Sequence, residues 1–241
     1  MSAPSDSTAR VHPSQYDTDK DDHFWANYER FFAPWAGRET AILELGVRHG
    51  GSLLLWRDYF AGGPVVGLDH HEVKPVEDES GRVRIYRGGQ QDLALLSEIA
   101  ERHAPGGFDL ILDDASHIGE LSRVSFGHLF THHLKSGGLY VVEDWGTGYW
   151  PTWEDGVLAD RPDFRPRKPA WWRRIGLRLG MPAFQRRFPS HDYGMVGFVK
   201  EFVDEVGRGA ITHPKNGVPP HESPAISEMT VCPGQVFLRK R

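Results

Sequence analysis

Five short apolar segments, separated by stretches with helical spacing, constrain the fold of this chain more than any other feature. The segments are TAILELGV, GPVVGLD, VRIYR, FDLILDD and GLYVVED. The stretches between them include SLLLWRDYF, QQDLALLSEIAERH and ELSRVSFGHLFTHHL. Short apolar strands that alternate with helices are typical of βαβ units. The sequence therefore predicts an α/β fold with a doubly wound, mostly parallel sheet.

The regions outside this alternation define the expected domain organisation. Residues 1–18 are polar and without periodicity, which predicts a flexible N-terminal arm before a single domain over residues 19–241. DDHFWANYERFFAPW and MVGFVKEFVDEVGRG are predicted helices, and ISEMTVCPGQVFLRK is a predicted terminal hairpin. The aromatic and Gly/Pro-rich texture of residues 145–190 indicates an inserted lid or substrate region.

Composition excludes several classes of protein. A net charge of −5 provides no global basic field for nucleic acid. No apolar run approaches the ~20 residues of a membrane span, and the N-terminus has no hydrophobic signal core. The one cysteine, Cys232, excludes an internal disulfide and a cysteine-rich zinc site. We expect a cytoplasmic location.

The first candidate ligand site is LELGVRHGGS, in which a strand ends in an acid and a glycine-rich turn opens a helix. Gly46 would let the backbone approach a ligand, and the amides near Ser52 would face it. The spacing Gly-x-x-x-Gly-Gly differs from the Gly-x-Gly-x-x-Gly of dinucleotide-binding proteins. Glu44 suits an ammonium group, which favours S-adenosylmethionine (SAM) over NAD. The alternative is a plain tight turn.

The next two strands contribute further candidate cofactor residues. Asp69 ends the second strand, where an acid can accept hydrogen bonds from the hydroxyl groups of a cofactor ribose. Gln90 and Asp92 follow the third strand, where they would read the adenine edge. The alternative for either residue is a helix cap.

Four carboxylates should converge after the fourth and fifth strands: Asp113, Asp114, Glu143 and Asp144. Carboxylates this close repel one another unless some are protonated or a cation is bound, and oxygen ligands indicate Mg²⁺, Ca²⁺ or Mn²⁺. Adjacent strand residues point to opposite faces, so one of Asp113 and Asp114 should face the cofactor and the other the metal. His117 can act as a general base. The alternative is that the acids cap the next helix and His117 is a surface residue.

In combination, these motifs resemble a known family. ILELGVRHGGSLLLWRDYF, VVGLDHH, GGQQDLALL, DLILDDASH, GGLYVVEDW and the lead-in DTDKDDHFWANYERFFAP are similar to the Mg²⁺- and SAM-dependent sugar O-methyltransferases, which include the macrocin and mycinamicin enzymes. Similar in size are the mycobacterial enzymes that methylate mannose oligosaccharides. The resemblance covers roughly residues 17–145 and implies a Rossmann-like, class I methyltransferase fold.

The resemblance also implies a role for individual residues. It assigns Asp114, Glu143 and Asp144 to the metal and His117 to the general base. It assigns the cofactor site to Glu44, Gly46, Asp69, Gln90 and Asp113. Gly89 departs from the family pattern, which usually has an acid there, and this affects the expected adenine contacts.

The acceptor implied by the resemblance is a sugar hydroxyl of a small oligosaccharide or glycosylated small molecule. The sharpest expectation is 1-O-methylation in the synthesis of methylmannose polysaccharide, by a homodimer. Aromatic side chains of the insert would stack on the sugar or else pack against the core: Trp145, Tyr149, Trp150, Trp153 and Tyr193. The basic segment 161–188 would meet an acidic acceptor, a partner or a membrane surface, or would be a solvated face.

Three other functions remain open at this point. A catechol-type O-methyltransferase would share the cation and the cofactor. A non-catalytic module would bind SAM without turnover. An NAD dehydrogenase is disfavoured by the glycine spacing.

Overall fold

The computed structural model describes residues 11–76, 78–159, 175, 178–179, 191–212, 215 and 223–241. Its strands are β1 (Ile42–Leu45), β2 (Val65–Asp69), β3 (Val83–Arg87), β4 (Phe108–Asp113), β5 (Leu134–Glu143), β6 (Ile226–Cys232) and β7 (Gln235–Lys240). Its α-helices are α1 (Asp22–Phe32), α2 (Gly51–Tyr59), α3 (Leu93–His103), α4 (Gly119–His132), α5 (Glu154–Ala159) and α6 (Gly194–Ile211).

The seven strands form one sheet in the order β3-β2-β1-β4-β5-β7-β6. Strands β1 to β5 run parallel, and β7 is antiparallel to both β5 and β6. The predicted mostly parallel sheet and the predicted terminal hairpin are therefore confirmed. The strand order reverses beside β1, and open α/β sheets bind ligands at such a point.

The two faces of the sheet bury separate hydrophobic clusters. One cluster packs α1 and α2 against the sheet and is rich in aromatic side chains, with Trp56 and Tyr28 fully buried. The other packs α3, α4 and α6 against the opposite face. Because side chains alternate along a strand, neighbouring residues such as Ile42 and Leu43 belong to different clusters. This alternation also decides which face each strand-end carboxylate meets.

Strand β5 begins earlier than the sequence suggests. The apolar segment GLYVVED predicts this strand, but Leu134 already pairs with Phe108 of β4, just after α4 ends at His132. The register shifts between Phe108 and Leu110, so the irregular pairing accommodates the two glycines. The strand therefore begins before the apolar segment that predicted it, because its first residue pairs with β4.

The predicted flexible arm over residues 1–18 is wrong for residues 11–18. Pro13 is buried in a short 3₁₀-helix, Pro13–Gln15. The Tyr16 hydroxyl donates a hydrogen bond to Asp58 at 2.9 Å. The polar residues of this segment pair with the domain rather than with water, which a search for periodicity cannot reveal. Residues 1–10 lie outside the described residues.

The start of the predicted insert is ordered against the core. A 3₁₀-helix, Trp145–Tyr149, leads to α5, and the buried Asp155 of α5 accepts a backbone hydrogen bond from the start of α6. Most of residues 160–190, including nearly all of the basic segment 161–188, lie outside the described residues. Among the helices described, none combines the length and the hydropathy that crossing a membrane requires.

Candidate active site

A cavity of about 860 Å³ opens at the carboxyl ends of the parallel strands. The turns that follow β1, β2, β3 and β4 line it, together with residues 17–20 and Asp144. Within the described ranges, three residues other than glycine have a positive φ angle: Arg48, His117 and Asp144. All three line this cavity. Backbone strain of this kind concentrates at functional sites, so the cavity is the candidate active site.

The glycine turn after β1 is shaped by close contacts within the protein. Gly46 has a φ of 82°, and a Cβ there would clash with the carbonyl oxygen of Asp114. A Cβ on Gly51 would clash with the backbone of Asp17. These glycines therefore let β4 and the N-terminal segment approach the turn, and Gly46 also lines the cavity as predicted for a cofactor residue.

Asp69 holds the two turns at the centre of the cavity. One of its carboxylate oxygens accepts hydrogen bonds from the amides of Val47 and Arg48, both at 3.0 Å. The other accepts from the amide of His71 at 2.9 Å. Asp69 lines the cavity, so the position is compatible with the predicted ribose contact. Its first role is to fix the turn.

Glu44 lies behind the cavity wall rather than on it. Its carboxylate accepts hydrogen bonds from Ser52 Oγ at 2.7 Å and from Trp56 Nε1 at 3.2 Å. The predicted ammonium partner exists, but it belongs to Lys20, 3.2 Å from Glu44 Oε1. Burial raises the pKa of Glu44, although Lys20 and Ser52 counteract it. Ser52 itself is on the wall.

Gln90 and Asp113 form one buried network below the cavity. Gln90 Nε2 donates to Asp113 Oδ1 at 3.2 Å, and Gln90 Oε1 accepts from the amide of Ser116 at 3.0 Å. Ser125 and Tyr140 also donate to Asp113, at 3.4 and 3.3 Å. Burial raises the pKa of Asp113. Gln90 lines the cavity, whereas Asp113 supports it from below.

Asp92 does not reach the cavity wall. It is the N-cap of α3, where its side chain accepts a hydrogen bond from the amide of Leu95 at 3.1 Å. This is the alternative that the sequence left open, and a carboxylate at a helix start has a sufficient physical reason to be there. The expected adenine contact therefore rests on Gln90.

Asp114, His117 and Asp144 form a group whose ligand atoms lie within 4.8 Å of one another. His117 Nε2 is 3.8 Å from Asp114 Oδ1 and 3.8 Å from Asp144 Oδ2. Burial raises the pKa of Asp144 and raises that of Asp114 well above its usual range, with repulsion from Glu143 adding to both. The two carboxylates offer the oxygen ligands that suit Mg²⁺ or Mn²⁺, and the imidazole lies beside them.

Glu143, the third predicted metal ligand, points toward α1 instead of toward His117. Its Oε1 atom lies 2.6 Å from Lys20 Nζ and also accepts a hydrogen bond from the Tyr28 hydroxyl. Lys20 Nζ is 3.1 Å from Asp114 Oδ2, so it touches two of the three predicted ligands. In this arrangement His117 lies beside Asp114 and Asp144, whereas Glu143 contacts Lys20 and not His117.

The Lys20 side chain is almost entirely buried, with 1% of it exposed. Burial alone would lower the pKa of Lys20, but the nearby carboxylates outweigh it, and the pKa is raised well above its usual value. Lys20 therefore stays charged and offsets buried negative charge.

The residues predicted to stack on an acceptor sit at different distances from this group. Trp153 lies 5.8 Å from His117 between ring centroids and is partly exposed, and Trp150 is 49% exposed. Trp145 packs on the core and donates to the Cys232 carbonyl at 3.2 Å. Tyr149 packs against His191, with ring centroids 4.8 Å apart, and Tyr193 precedes α6. Trp153 thus lies beside His117, where an acceptor would bind, whereas Trp150 is exposed to solvent.

Three buried polar residues near the site received no role from the sequence: Lys20, Tyr28 and Asp155. Asp155 accepts hydrogen bonds from the amides of Gly119 and Met195, at 2.9 and 2.6 Å, and so joins the starts of α4 and α6. The lead-in DTDK contains Lys20, and several convergent acids require a nearby cation. That requirement was the available signal for Lys20, whereas nothing local singled out Asp155.

The sequence of this chain is similar to those of known O-methyltransferases. Mycinamicin VI 2''-O-methyltransferase of Micromonospora griseorubida is 40% identical over 135 residues, which cover 53% of this chain and 33% of that enzyme. Demethylmacrocin O-methyltransferase of Streptomyces fradiae matches with the same identity and coverage. The chain thus spans about a third of the length of these relatives. No protein-family model matches it.

A solved structure extends the similarity over most of the chain. MycE methyltransferase from the mycinamycin biosynthetic pathway, in complex with Mg and SAH, has a TM-score of 0.69 and 29% identity. The alignment covers 94% of this chain and 52% of that one. The class I methyltransferase fold is therefore confirmed, and so is the resemblance seen in the motifs: this chain is similar in sequence and in fold to the mycinamicin and macrocin O-methyltransferases.

Proposed function

We propose that the chain transfers a methyl group from SAM to a sugar hydroxyl with the help of a divalent cation. One observation carries the proposal: Asp114, His117 and Asp144 converge at the edge of a cavity of about 860 Å³ on a methyltransferase fold. A cation, a donor and an acceptor must meet for this reaction, and the cavity brings their candidate contacts to one place.

The cofactor would lie against the turns after β1, β2 and β3. Gly46 lets the backbone segments approach closely there. The carboxylate of Asp69 fixes the turns after β1 and β2, and Gln90 is held by Asp113. SAH, the product of SAM, occupies the related MycE structure. SAM supplies the electrophilic methyl group.

The residues around His117 fit a divalent cation. Their oxygen-rich donor set suits Mg²⁺ or Mn²⁺, with Ca²⁺ as a further option, and Mg is present in the related MycE structure. Asp114 and Asp144 would hold the ion, and Glu143 would support Asp114 through Lys20. When bound, such an ion supplies Lewis-acid polarisation of a hydroxyl oxygen.

His117 would then remove the hydroxyl proton as the oxygen attacks the methyl group. Its Nε2 atom faces Asp114 and Asp144, which stabilise the positive charge that the ring gains. Trp153 lies beside the ring, tilted by 51°, and can pack on the apolar face of a sugar. A general base of this kind contributes roughly 10²–10⁴ in rate.

For the acceptor, we propose a mannose-type oligosaccharide, methylated at the 1-hydroxyl, as the first choice to test. A sugar of a macrolide or polyketide is the second, since the relatives act on mycinamicin VI and demethylmacrocin. A catechol is the third, because such enzymes share the cation and cofactor chemistry.

The direct experiment measures methyl transfer from labelled SAM to these three acceptor classes, with Mg²⁺ and with EDTA. We expect transfer to a sugar that stops in EDTA, and NMR of the product would locate the methyl group. SAM binding without transfer to any acceptor would instead make the chain a binding module. Transfer to catechol alone would reassign the acceptor.

Replacing His117 with alanine separates the two roles that its position allows. As a general base, the variant should lose at least 100-fold in rate and keep its affinity for Mn²⁺ within a few fold. An equally large loss of Mn²⁺ affinity would make His117 a ligand instead. Asp114→Ala is the reference, because it should lose both.

The expected homodimer is a separate proposal that rests on resemblance alone. Light scattering of the purified chain at two concentrations would give its mass. A monomer at both concentrations would remove the proposal.

A further inference from the structure

A lysine ammonium lies at the centre of a carboxylate cluster that adjoins the proposed divalent site and shares Asp114 with it. Lys20 Nζ lies 2.6 Å from Glu143 Oε1, 3.1 Å from Asp114 Oδ2 and 3.2 Å from Glu44 Oε1. The side chains of Lys20 and Glu44 are each 1% exposed. A buried lysine with three carboxylate partners is a built site for a cation.

Glu44 shows why a cation is needed at this position. Its Oε2 atom accepts hydrogen bonds from two neutral donors, whereas its buried Oε1 atom is matched by the Lys20 ammonium at 3.2 Å. A buried carboxylate oxygen is costly unless a donor or a charge compensates it. The charge of Lys20 provides that compensation.

The Lys20 position and the proposed divalent site are adjacent and share one carboxylate. Asp114 directs Oδ2 to Lys20 and Oδ1 toward His117, which is 3.8 Å away. In two-metal sites, neighbouring ions lie about 3.5–4 Å apart. Oxygen atoms now 2.6–3.2 Å from the nitrogen would need to contract by at most about 1.2 Å to reach the ~2.0–2.6 Å of Mg²⁺ or Ca²⁺ ligands.

We propose that Lys20 fills the second cation position of a two-cation carboxylate site and thereby limits the site to one divalent ion. Lys20 is a positioning residue in this arrangement, because its ammonium holds Asp114 and Glu143 without touching the acceptor. The proposed function supplies the first ion, and the Lys20 position is defined independently of it.

The lysine differs from a metal ion in being fixed to the chain. It precedes α1, in a segment that is anchored by the ion pair between Asp19 and Arg48 at 2.8 Å and by the contact of Asp17 with Gly51. The buried acids therefore keep a counter-charge at any concentration of free metal. The same anchor holds residues 17–20 along the cavity wall.

The test counts Mn²⁺ ions on the full chain and on Lys20→Ala by equilibrium dialysis and electron paramagnetic resonance. Removing the side chain opens a passage from the cavity to the three carboxylates, so the variant should bind one more ion than the parent. Two ions against one would support both proposals. One ion against none would support this inference and reject the divalent site of the proposed function. An unchanged count in a folded variant, up to millimolar Mn²⁺, would overturn the inference.

Two further variants keep the test specific. Lys20→Ala/Glu44→Gln should bind the additional ion at least tenfold more weakly, because Glu44 contacts the Lys20 position and not His117. Lys135→Ala, which breaks an ion pair with Asp109 at the other end of β4, should keep the parental count. An additional ion that is indifferent to Glu44→Gln would lie elsewhere and would reject the assignment.

Loss of the lysine can also unfold the chain in EDTA, and this outcome is informative as well. Titration with Mn²⁺, followed by circular dichroism, should then restore the helical signal, because an ion that binds only the folded chain stabilises it. A Lys20→Ala chain that stays unfolded at saturating Mn²⁺ would contradict the inference.

Discussion

The two faces of the sheet bury carboxylates in opposite ways. On the face of α1 and α2, Glu44 and Glu143 are compensated by the charge of Lys20. On the face of α3 and α4, Asp113 is compensated by neutral donors from Gln90, Ser125 and Tyr140. The first arrangement keeps charged groups together at the strand ends, whereas the second surrounds one carboxyl group with neutral hydrogen-bond donors. We therefore expect a cation to bind on the first face. We expect the hydrogen-bonded network on the second face to form a rigid wall of the cofactor site.

The largest expected effect distinguishes the adjacent residues Asp113 and Asp114. Asp114→Asn should reduce methyl transfer at least 100-fold and weaken Mn²⁺ binding, because a ligand charge is lost. Asp113→Asn should keep Mn²⁺ affinity within a few fold, since its carboxyl group faces Gln90 and Tyr140. Titration of both variants with Mn²⁺, alongside rate measurements, would test this. Equal losses of affinity would show that the two faces do not differ.

The next largest effect concerns Asp155 of α5, which joins the starts of α4 and α6. Asp155→Ala should destabilise the fold by about 3 kcal/mol, because two buried helix-start amides lose their acceptor. For a chain of this size, that corresponds to a fall of about 6–12 °C in melting temperature. Asp155→Asn, which keeps a carbonyl acceptor, should lose less. Thermal unfolding of both variants is the measurement, and equal losses would contradict the role.

A matched pair of tyrosines compares the hydrogen bonds on the two faces. The hydroxyls of Tyr28 and Tyr140 are both buried, and each donates to a carboxylate, Glu143 or Asp113. Tyr28→Phe should cost about 2 kcal/mol and Tyr140→Phe about 1 kcal/mol, since the second bond is long, at 3.3 Å, and Asp113 has other donors. Urea unfolding would measure both. A larger loss of stability for Tyr140→Phe than for Tyr28→Phe would contradict the idea that the hydrogen bond to the charged Glu143 cluster is the stronger one.

The smallest expected effect is a pH dependence of folding stability. It comes from two histidines on the α3 and α4 side of the sheet, at the end far from the cavity. Ser97 Oγ lies 2.8 Å from His128 Nε2 and 3.2 Å from His133 Nε2, and burial lowers the pKa of both rings. As the pH falls, these histidines take up protons at about pH 6.5 in the unfolded chain and at a lower pH in the folded chain. Their contribution to stability is therefore present above pH 6.5 and is lost as the pH falls through the folded pKa.

Comparison with His128→Gln/His133→Gln isolates that contribution from other titrating groups. Between pH 7.5 and 5.5, the melting temperature of the parent should fall more than that of the double variant. Parallel pH profiles would show that these histidines do not contribute.

The sequence predicted the elements that depend on local pattern. The alternation of apolar strands and helices gave the sheet, and the period of two along β4 placed Asp113 and Asp114 on opposite faces, as the structure shows. The roles of His117, Asp114 and Asp144 remain predictions, now supported by their proximity. The same reasoning did not give the start of β5, which pairs with β4 before the apolar segment GLYVVED begins.

By itself, the sequence determined which acids reach the carboxyl edge of the sheet, because strand ends and side-chain alternation are local properties. Only the tertiary structure decided what each acid meets there. Lys20 lies 94 residues from Asp114 and 123 from Glu143 along the chain, so no local pattern connects them. Their contact arises because burying three carboxylates without a cation would cost more than folding provides.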